Sequence, residues 1–175
     1  MTTPEVRARA IRLALFDVDG VLTDGRLFYG PAGEAMKVFN ILDGHGLRML
    51  AKSGVATGLL SGRRSEAAAA RAAELGMAHV ILGVDDKLAH FERLRAGLGL
   101  EASQCSFMGD DLPDVPVLAR CGFAVAVANA VPEVKAMAHL VTRAGGDGAV
   151  REFCEFVMRA QGTLENAAGR HGARS

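Results

Sequence analysis

Asp17 and Asp19 stand where a short apolar run, Leu13-Ala-Leu-Phe16, stops, with Gly20 directly behind them. An ionised carboxylate is costly to bury unless paired or metal-bound, so both belong at the end of a strand and outside the sheet. Alone, an Asp-x-Asp is most often a solvated strand end. Three further groups change that reading: Ser61-Gly62-Arg63, Lys87, and Asp110, Asp111 and Asp114. Each also has an ordinary role, Ser61 and the Asp110 pair as helix caps and Lys87 as a solvated helix residue. Together they describe an acidic pocket with one hydroxyl and one lysine. Carboxylates crowded into one pocket repel unless a cation joins them, and all-oxygen ligands favour Mg2+ over zinc. Such a site suits a phosphoryl group, whose transfer depends on positioning and charge neutralisation. Asp17, nearest the strand end, is the natural nucleophile for an aspartyl-phosphate. Asp19 is placed to protonate the leaving oxygen and then to activate water.

Each of these groups follows a predicted strand. The strands are read over residues 13–16, 55–60, 79–82, 105–108, 123–127 and 140–142. Helices are read over 5–10, 43–52 (capped by Asp43), 66–75, 86–98, 112–120, 132–138 and 149–160. Strands alternating with helices predict an α/β fold with a doubly wound, Rossmann-like parallel sheet, whose loops meet at one rim. Residues 26–29 and 35–40 flank Gly30-Pro-Ala-Gly-Glu34 and read as a β-hairpin flap over about 26–40. It is too small to be a cap domain. Residues 1–161 then form a single domain. Residues 162–175 are small and polar and are expected to form a flexible tail, able to close a pocket in a neighbouring subunit.

Composition narrows the function classes. Lys plus Arg equals Asp plus Glu at 20 each, so there is no basic field for nucleic acid. Half the residues are hydrophobic, as expected of a globular chain. Cys105, Cys121 and Cys154 lack metal-ligand spacing and read as buried thiols of a reducing compartment. Arg12 and Asp17 interrupt the early apolar runs, so neither a signal peptide nor a membrane span is expected, and the address is the cytoplasm.

Asp17-Val-Asp-Gly-Val-Leu-Thr-Asp24, Leu60-Ser-Gly-Arg63, Lys87 and Gly109-Asp-Asp-x-x-Asp114 resemble, in order, the four motifs of the haloacid dehalogenase (HAD) superfamily of phosphatases. The short chain, the flap and Gly145-Gly-Asp-Gly-Ala-Val-Arg-Glu152 narrow the resemblance to the 3-deoxy-D-manno-octulosonate 8-phosphate (KDO 8-phosphate) phosphatases of lipopolysaccharide sugar synthesis. The resemblance implies Asp17 as nucleophile and metal ligand, and Asp19 as acid/base that binds metal through its carbonyl. It implies phosphate and substrate binding by Ser61, Gly62, Arg63 and Lys87, metal binding by Asp110, and support from Asp111 and Asp114. Family members are tetramers built through the flap hairpins. Ser61 stands where many relatives have Thr, and Pro113 follows the paired aspartates. Related enzymes act on 9-phosphates of nine-carbon acidic sugars and tend to carry an acidic residue in place of Arg63. A receiver-like phosphoacceptor module would need a Lys after the fifth sheet strand, where Ala128-Asn129 stands.

Overall fold

The computed structural model describes residues 2–169. Its elements in chain order are α1 (Pro4–Ala10), β1 (Leu13–Phe16), β2 (Phe28–Gly30), β3 (Gly33–Met36), α2 (Ile41–Lys52), β4 (Ala56–Ser61), α3 (Glu66–Leu75) and β5 (His79–Leu82). They continue as α4 (Lys87–Gly97), β6 (Cys105–Gly109), α5 (Val115–Leu118), β7 (Phe123–Ala126), α6 (Pro132–Met137), β8 (Leu140–Val141), α7 (Ala149–Ala160) and α8 (Leu164–Ala167). Six strands form one parallel sheet in the order β5-β4-β1-β6-β7-β8. β1 and β7 are buried at every position, as strands covered on both faces must be. This is the doubly wound α/β sheet expected from the alternating pattern.

Right-handed crossovers put α2 and α3 on one face and α4, α5 and α6 on the other. α2 packs on α7, and α7 on α1, closing the first layer. Phe16 of β1 meets Phe153 of α7 edge-on at 5.6 Å, and Phe123 of β7 lies 6.0 Å from the same ring. Fully burying a ring of this size contributes about 2–3 kcal/mol, so the end of β1 is anchored from below.

Several local details differ from the sequence reading. The hairpin is tighter than expected, with strands at 28–30 and 33–36, because Gly33 takes a φ of +108° and closes the turn just after Pro31-Ala32. α2 begins at Ile41, where Asn40 Oδ1 accepts from Leu42 N at 2.8 Å, and not at a cap on Asp43. Asp43 lies buried inside that helix, where its Oδ1 accepts from Arg151 N at 2.8 Å and ties α2 to the first turn of α7. The helix read over 112–120 is a single 3-10 turn, Leu112–Asp114, followed by α5, since Pro113 and Pro116 both lack an N–H. The tail expected to be flexible from residue 162 starts instead with α8. Leu164 and Ala167, one helical turn apart, pack on the core beside α2 and α7. The remainder of that segment, 170–175, lies outside the described residues. Among the described residues no helix is long and apolar enough to cross a membrane.

Candidate active site

The sheet register assembles the site. Phe16 pairs with Leu59 of β4 and with Met108 of β6, so Asp17, Ser61 and Asp110 leave three adjacent strands at one edge. The chain steps outward from β1 through β4 and β5, then returns to β6 on the other side of β1. The crevice at such a reversal is where open parallel sheets bind ligands. All the residues singled out from the sequence (Asp17, Asp19, Ser61, Gly62, Arg63, Lys87, Asp110, Asp111 and Asp114) line one cavity there of about 280 Å³.

The inner wall is a buried charge cluster. Lys87 Nζ donates to Asp114 Oδ1 at 2.6 Å and stands 3.1 Å from Asp17 Oδ1. Asp114 Oδ2 accepts from the N–H groups of Asp110 at 2.9 Å and Asp111 at 3.3 Å, bracing the loop after β6. Lys87 opens α4, where Asp86 Oδ1 accepts from Ala89 N at 2.9 Å and fixes the first turn. Burial alone would lower the Lys87 pKa, but Asp17 and Asp114 outweigh it and hold the ammonium charged. Burial, and then the Asp114 charge, push Asp17 up to about 6. Burial, and then Asp17 and Asp114, push Asp110 up to about 7.

Those raised carboxyls fit a divalent cation. Carboxylate oxygens of Asp17, Asp110 and Asp114 lie within 4.8 Å of one another. Asp17 Oδ1 and Asp110 Oδ1 are buried and accept no hydrogen bond. Asp114 is already committed to Lys87 and two N–H groups, whereas Asp17 has only the Lys87 ammonium beside it and Asp110 Oδ1 has no partner, so these two carboxylates can turn to a cation. The all-oxygen set suits Mg2+.

The loop between β1 and the flap is held from several directions. Gly20 has a φ of +86°, and a Cβ there would overlap the Asp110 carboxylate. Thr23 Oγ1 accepts from Gly20 N at 3.3 Å and from Gly25 N at 3.2 Å. Asn129, after β7, donates to Gly20 O at 3.1 Å and accepts from Gly145 N at 2.7 Å.

The outer wall belongs to the flap. Lys37, just past β3, forms an ion pair with Asp19 Oδ1 and sits 3.0 Å from Glu34 Oε2. Arg63 Nε lies 3.3 Å from Asp19 Oδ2, and its Nη2 donates to Tyr29 Oη at 3.0 Å. Ser65 Oγ donates to Glu34 Oε1. Burial works against the Glu34 charge, yet the Ser65 and Lys37 hydrogen bonds win and hold its carboxyl below the usual range. The Asp19 side chain thus faces the flap, engaged by Lys37 and Arg63. A larger groove of about 800 Å³ continues outward between the hairpin and α3, past Glu34 and Ser65.

Lys37, Glu34, Thr23 and Asn129 are the neighbours that reading the sequence missed. Asn129 had a usable signal, its place just beyond a strand at the active rim. Lys37 and Glu34 had none, because nothing local reveals which way a hairpin leans.

Comparison with known proteins agrees with this layout. Residues 72–153 match the haloacid dehalogenase-like hydrolase family. The chain is 45% identical to the 3-deoxy-D-manno-octulosonate 8-phosphate phosphatase of Yersinia pestis, over 93% of this chain and 88% of that one. It is 42% identical to the Escherichia coli K12 enzyme of the same name, over 93% and 87% of the two chains. The Moraxella catarrhalis phosphatase, solved with magnesium, phosphate and KDO, superposes with a TM-score of 0.93 at 38% identity, covering 97% of this chain and 98% of that one. The cobalt-bound phosphatase from Haemophilus influenzae gives a TM-score of 0.88 at 39% identity, covering 91% and 94%. With a HAD-type cleft and relatives this similar over nearly its whole length, the chain belongs to the KDO 8-phosphate phosphatase family of haloacid dehalogenase-like hydrolases.

Proposed function

We propose that the protein is a Mg2+-dependent phosphatase that hydrolyses KDO 8-phosphate to KDO and phosphate, a step in making the lipopolysaccharide sugar. The observation that carries this reading is the position of Asp17, buried between the Lys87 ammonium and the Asp110 carboxyl at the switch point of the sheet. The Moraxella relative, with magnesium, phosphate and KDO bound, supports the substrate class.

Asp17 and Asp110 would hold Mg2+ together with the carbonyl of Asp19. Bound there, the ion neutralises the phosphoryl oxygens and lowers the effective charge that an attacking carboxylate must approach. Asp17 attacks phosphorus, the ester P–O bond breaks, and the phosphoryl group moves to the Asp17 carboxylate. Asp19, which must enter this step as the neutral acid, gives its proton to the departing sugar oxygen. It then takes a proton from water, which attacks the aspartyl-phosphate and returns Asp17. Lys87, the Ser61 hydroxyl and the N–H of Gly62 bind the phosphoryl oxygens. Asp114 and Asp111 keep Lys87 and the metal loop in place. Arg63, partly exposed at the mouth, pairs with the sugar carboxylate, which favours KDO 8-phosphate over a nine-carbon acidic sugar 9-phosphate.

A tetramer formed through the flaps follows from the same reading. Leu27, Phe28, Tyr29, Met36 and Val38 are exposed on or beside a two-stranded hairpin, a unit that is marginal alone in water. Light scattering should give about four times the chain mass, and a monomer would contradict it. A cytoplasmic address accords with a soluble sugar phosphate as substrate and with three buried, free thiols.

The test is phosphate release with Mg2+ from KDO 8-phosphate, a nine-carbon acidic sugar 9-phosphate and 4-nitrophenyl phosphate. The expected result is a kcat/KM at least about tenfold higher for KDO 8-phosphate than for either alternative. Equal or inverted preference between the two sugar phosphates would sink the substrate assignment. Full activity after chelation would sink the metal role.

A further inference from the structure

Asp19, Lys37, Glu34 and Arg63 form a closed ring of alternating charge at the mouth of the cavity. Asp19 meets Lys37 through one carboxylate oxygen and Arg63 through the other, at 3.3 Å. Glu34 closes the ring, 3.0 Å from Lys37 and 3.6 Å from Arg63. The two cations differ in freedom. The Lys37 side chain is 1% exposed, whereas that of Arg63 is 40% exposed. We infer that Lys37, carried on the flap, is the positioning residue for Asp19, holding its carboxylate on the leaving-group side of the site.

This role for Lys37 rests on the acid/base reading of Asp19 and deepens it. A carboxylate beside a divalent cation is drawn to ligate it directly, and a carboxylate so bound is a poor base that faces away from the leaving oxygen. Something must compete with the metal for the Asp19 side chain. Arg63 can do so only part of the time, because it is exposed at the mouth and free to turn toward an anionic substrate. Lys37 is out of water, paired to two acids and fixed by the base of the hairpin. When Arg63 leaves, Lys37 alone still restrains Asp19. Glu34 completes the device, since it is a second acid on Lys37 and is itself held by Ser65. Seating of the flap and orientation of the acid/base group are therefore one event.

The experiment compares an ester that needs a proton on its leaving oxygen with one that does not. Rapid-quench measurement of aspartyl-phosphate formation is made on the Mg2+-loaded enzyme with KDO 8-phosphate and with 4-nitrophenyl phosphate. Lys37→Met should slow the sugar phosphate at least about tenfold and the aryl phosphate less than about threefold, with KM for the sugar phosphate changed less than twofold. Lys37→Arg should recover much of the loss. In an Asp19→Asn background, Lys37→Met should add nothing further, since Lys37 acts through that carboxylate. The rise in Tm on adding Mg2+ should be the same in Lys37→Met and the parent, which separates a misplaced acid from a damaged metal site. Equal slowing of both esters by Lys37→Met, additive losses in the double variant, or parental rates would each overturn the proposal. If Asp19→Asn itself treats the two esters alike, the acid/base reading falls and this inference with it. If Asp19→Asn discriminates and Lys37→Met does not, only the inference falls.

Discussion

The two walls of the cavity use the same kinds of group and differ in what surrounds them. On the inner wall, Asp17, Lys87 and Asp114 have side chains 10%, 5% and 1% exposed, and they hang from a strand end, a helix start and the 3-10 turn after β6. On the outer wall, Asp19, Glu34 and Arg63 are 18%, 16% and 40% exposed, Lys37 alone matches the inner wall at 1%, and two of the ring's four members ride on a hairpin. Charge pairs in low dielectric are worth several kcal/mol to disrupt, while exposed pairs are worth about 0.2–1 kcal/mol. The fold therefore invests its rigidity where phosphorus is handled and leaves compliance where the sugar enters. A phosphoryl group is the same in every substrate, but the sugar must be admitted, recognised and released.

Breaking the inner wall should have the largest effect. Asp17→Asn keeps the shape and removes the proposed nucleophile, so turnover should fall by at least about 10³-fold in a phosphate-release assay. Its Tm without metal should not fall, and at pH 8 should rise, because the amide relieves a buried charge crowded by Asp114. Residual turnover within tenfold of the parent would end the covalent mechanism. Lys87→Met should come next. It strands Asp17 and Asp114 without their cation and should cost about 3 kcal/mol of stability, read by urea denaturation. Arg63→Met should cost under about 1 kcal/mol and act mainly on KM, since the guanidinium is itself 40% exposed and both of its acids keep Lys37. If the two losses of stability proved equal, the contrast between the walls would be wrong.

The inner wall was also the legible one. Asp17, Asp110 and Lys87 each follow a run of apolar residues, and a parallel sheet must bring such strand ends to one rim. Periodicity and the polar breaks thus located both the strands and the rim where these side chains meet. The outer wall depends on how the hairpin lies over the rim, which no period or cap encodes. Lys37 looks in the sequence like any solvated lysine between Met36 and Val38. Only the tertiary approach of Asp19 and Glu34 buries it. The same limit appears at Asp43, whose spacing suits a helix cap but whose partner, Arg151, lies 108 residues away. Proline pairs misled differently: Pro113 is acceptable in a first turn, yet Pro116 prevents that turn from growing into one long helix.

Proton linkage offers a third way to probe the inner wall. Without metal, burial and the neighbouring acids push the Asp17 carboxyl up to about 6 and that of Asp110 up to about 7, both above the unfolded carboxylate value of 3.8. The folded state then holds protons that the unfolded chain has released, so the sign is set. These groups' contribution to stability is complete below about pH 4 and is lost as pH rises through 6 and 7. A cation reverses the loss by stabilising the charged forms. The rise in Tm on adding Mg2+ should therefore be small at pH 5.5 and several degrees larger at pH 8. Asp110→Asn, which lacks the higher of the two groups, should flatten that difference. A Mg2+ shift that was largest at pH 5.5 would contradict the assignment of these carboxyls to the metal.

The smallest expected effect lies at the tip of the outer wall. Tyr29 is an exposed residue whose hydroxyl accepts from Arg63 Nη2 at 3.0 Å. Removing one exposed, neutral hydrogen-bond partner from an arginine that keeps Asp19 and Glu34 should cost well under about 1 kcal/mol. Tyr29→Phe should thus leave Tm within a degree, leave the aryl phosphate rate alone, and shift KM for KDO 8-phosphate by less than about threefold. The ring itself is retained, so any apolar contact the hairpin makes is kept and the oligomer should survive. The direction of the KM shift is informative. If the hydroxyl holds Arg63 at the mouth, ready for the sugar carboxylate, KM rises. If it holds Arg63 back against the ring, KM falls, because releasing the guanidinium lowers the cost of reaching the substrate. A large loss of kcat from so small a change would mean that the outer wall is as rigidly coupled to the chemistry as the inner one.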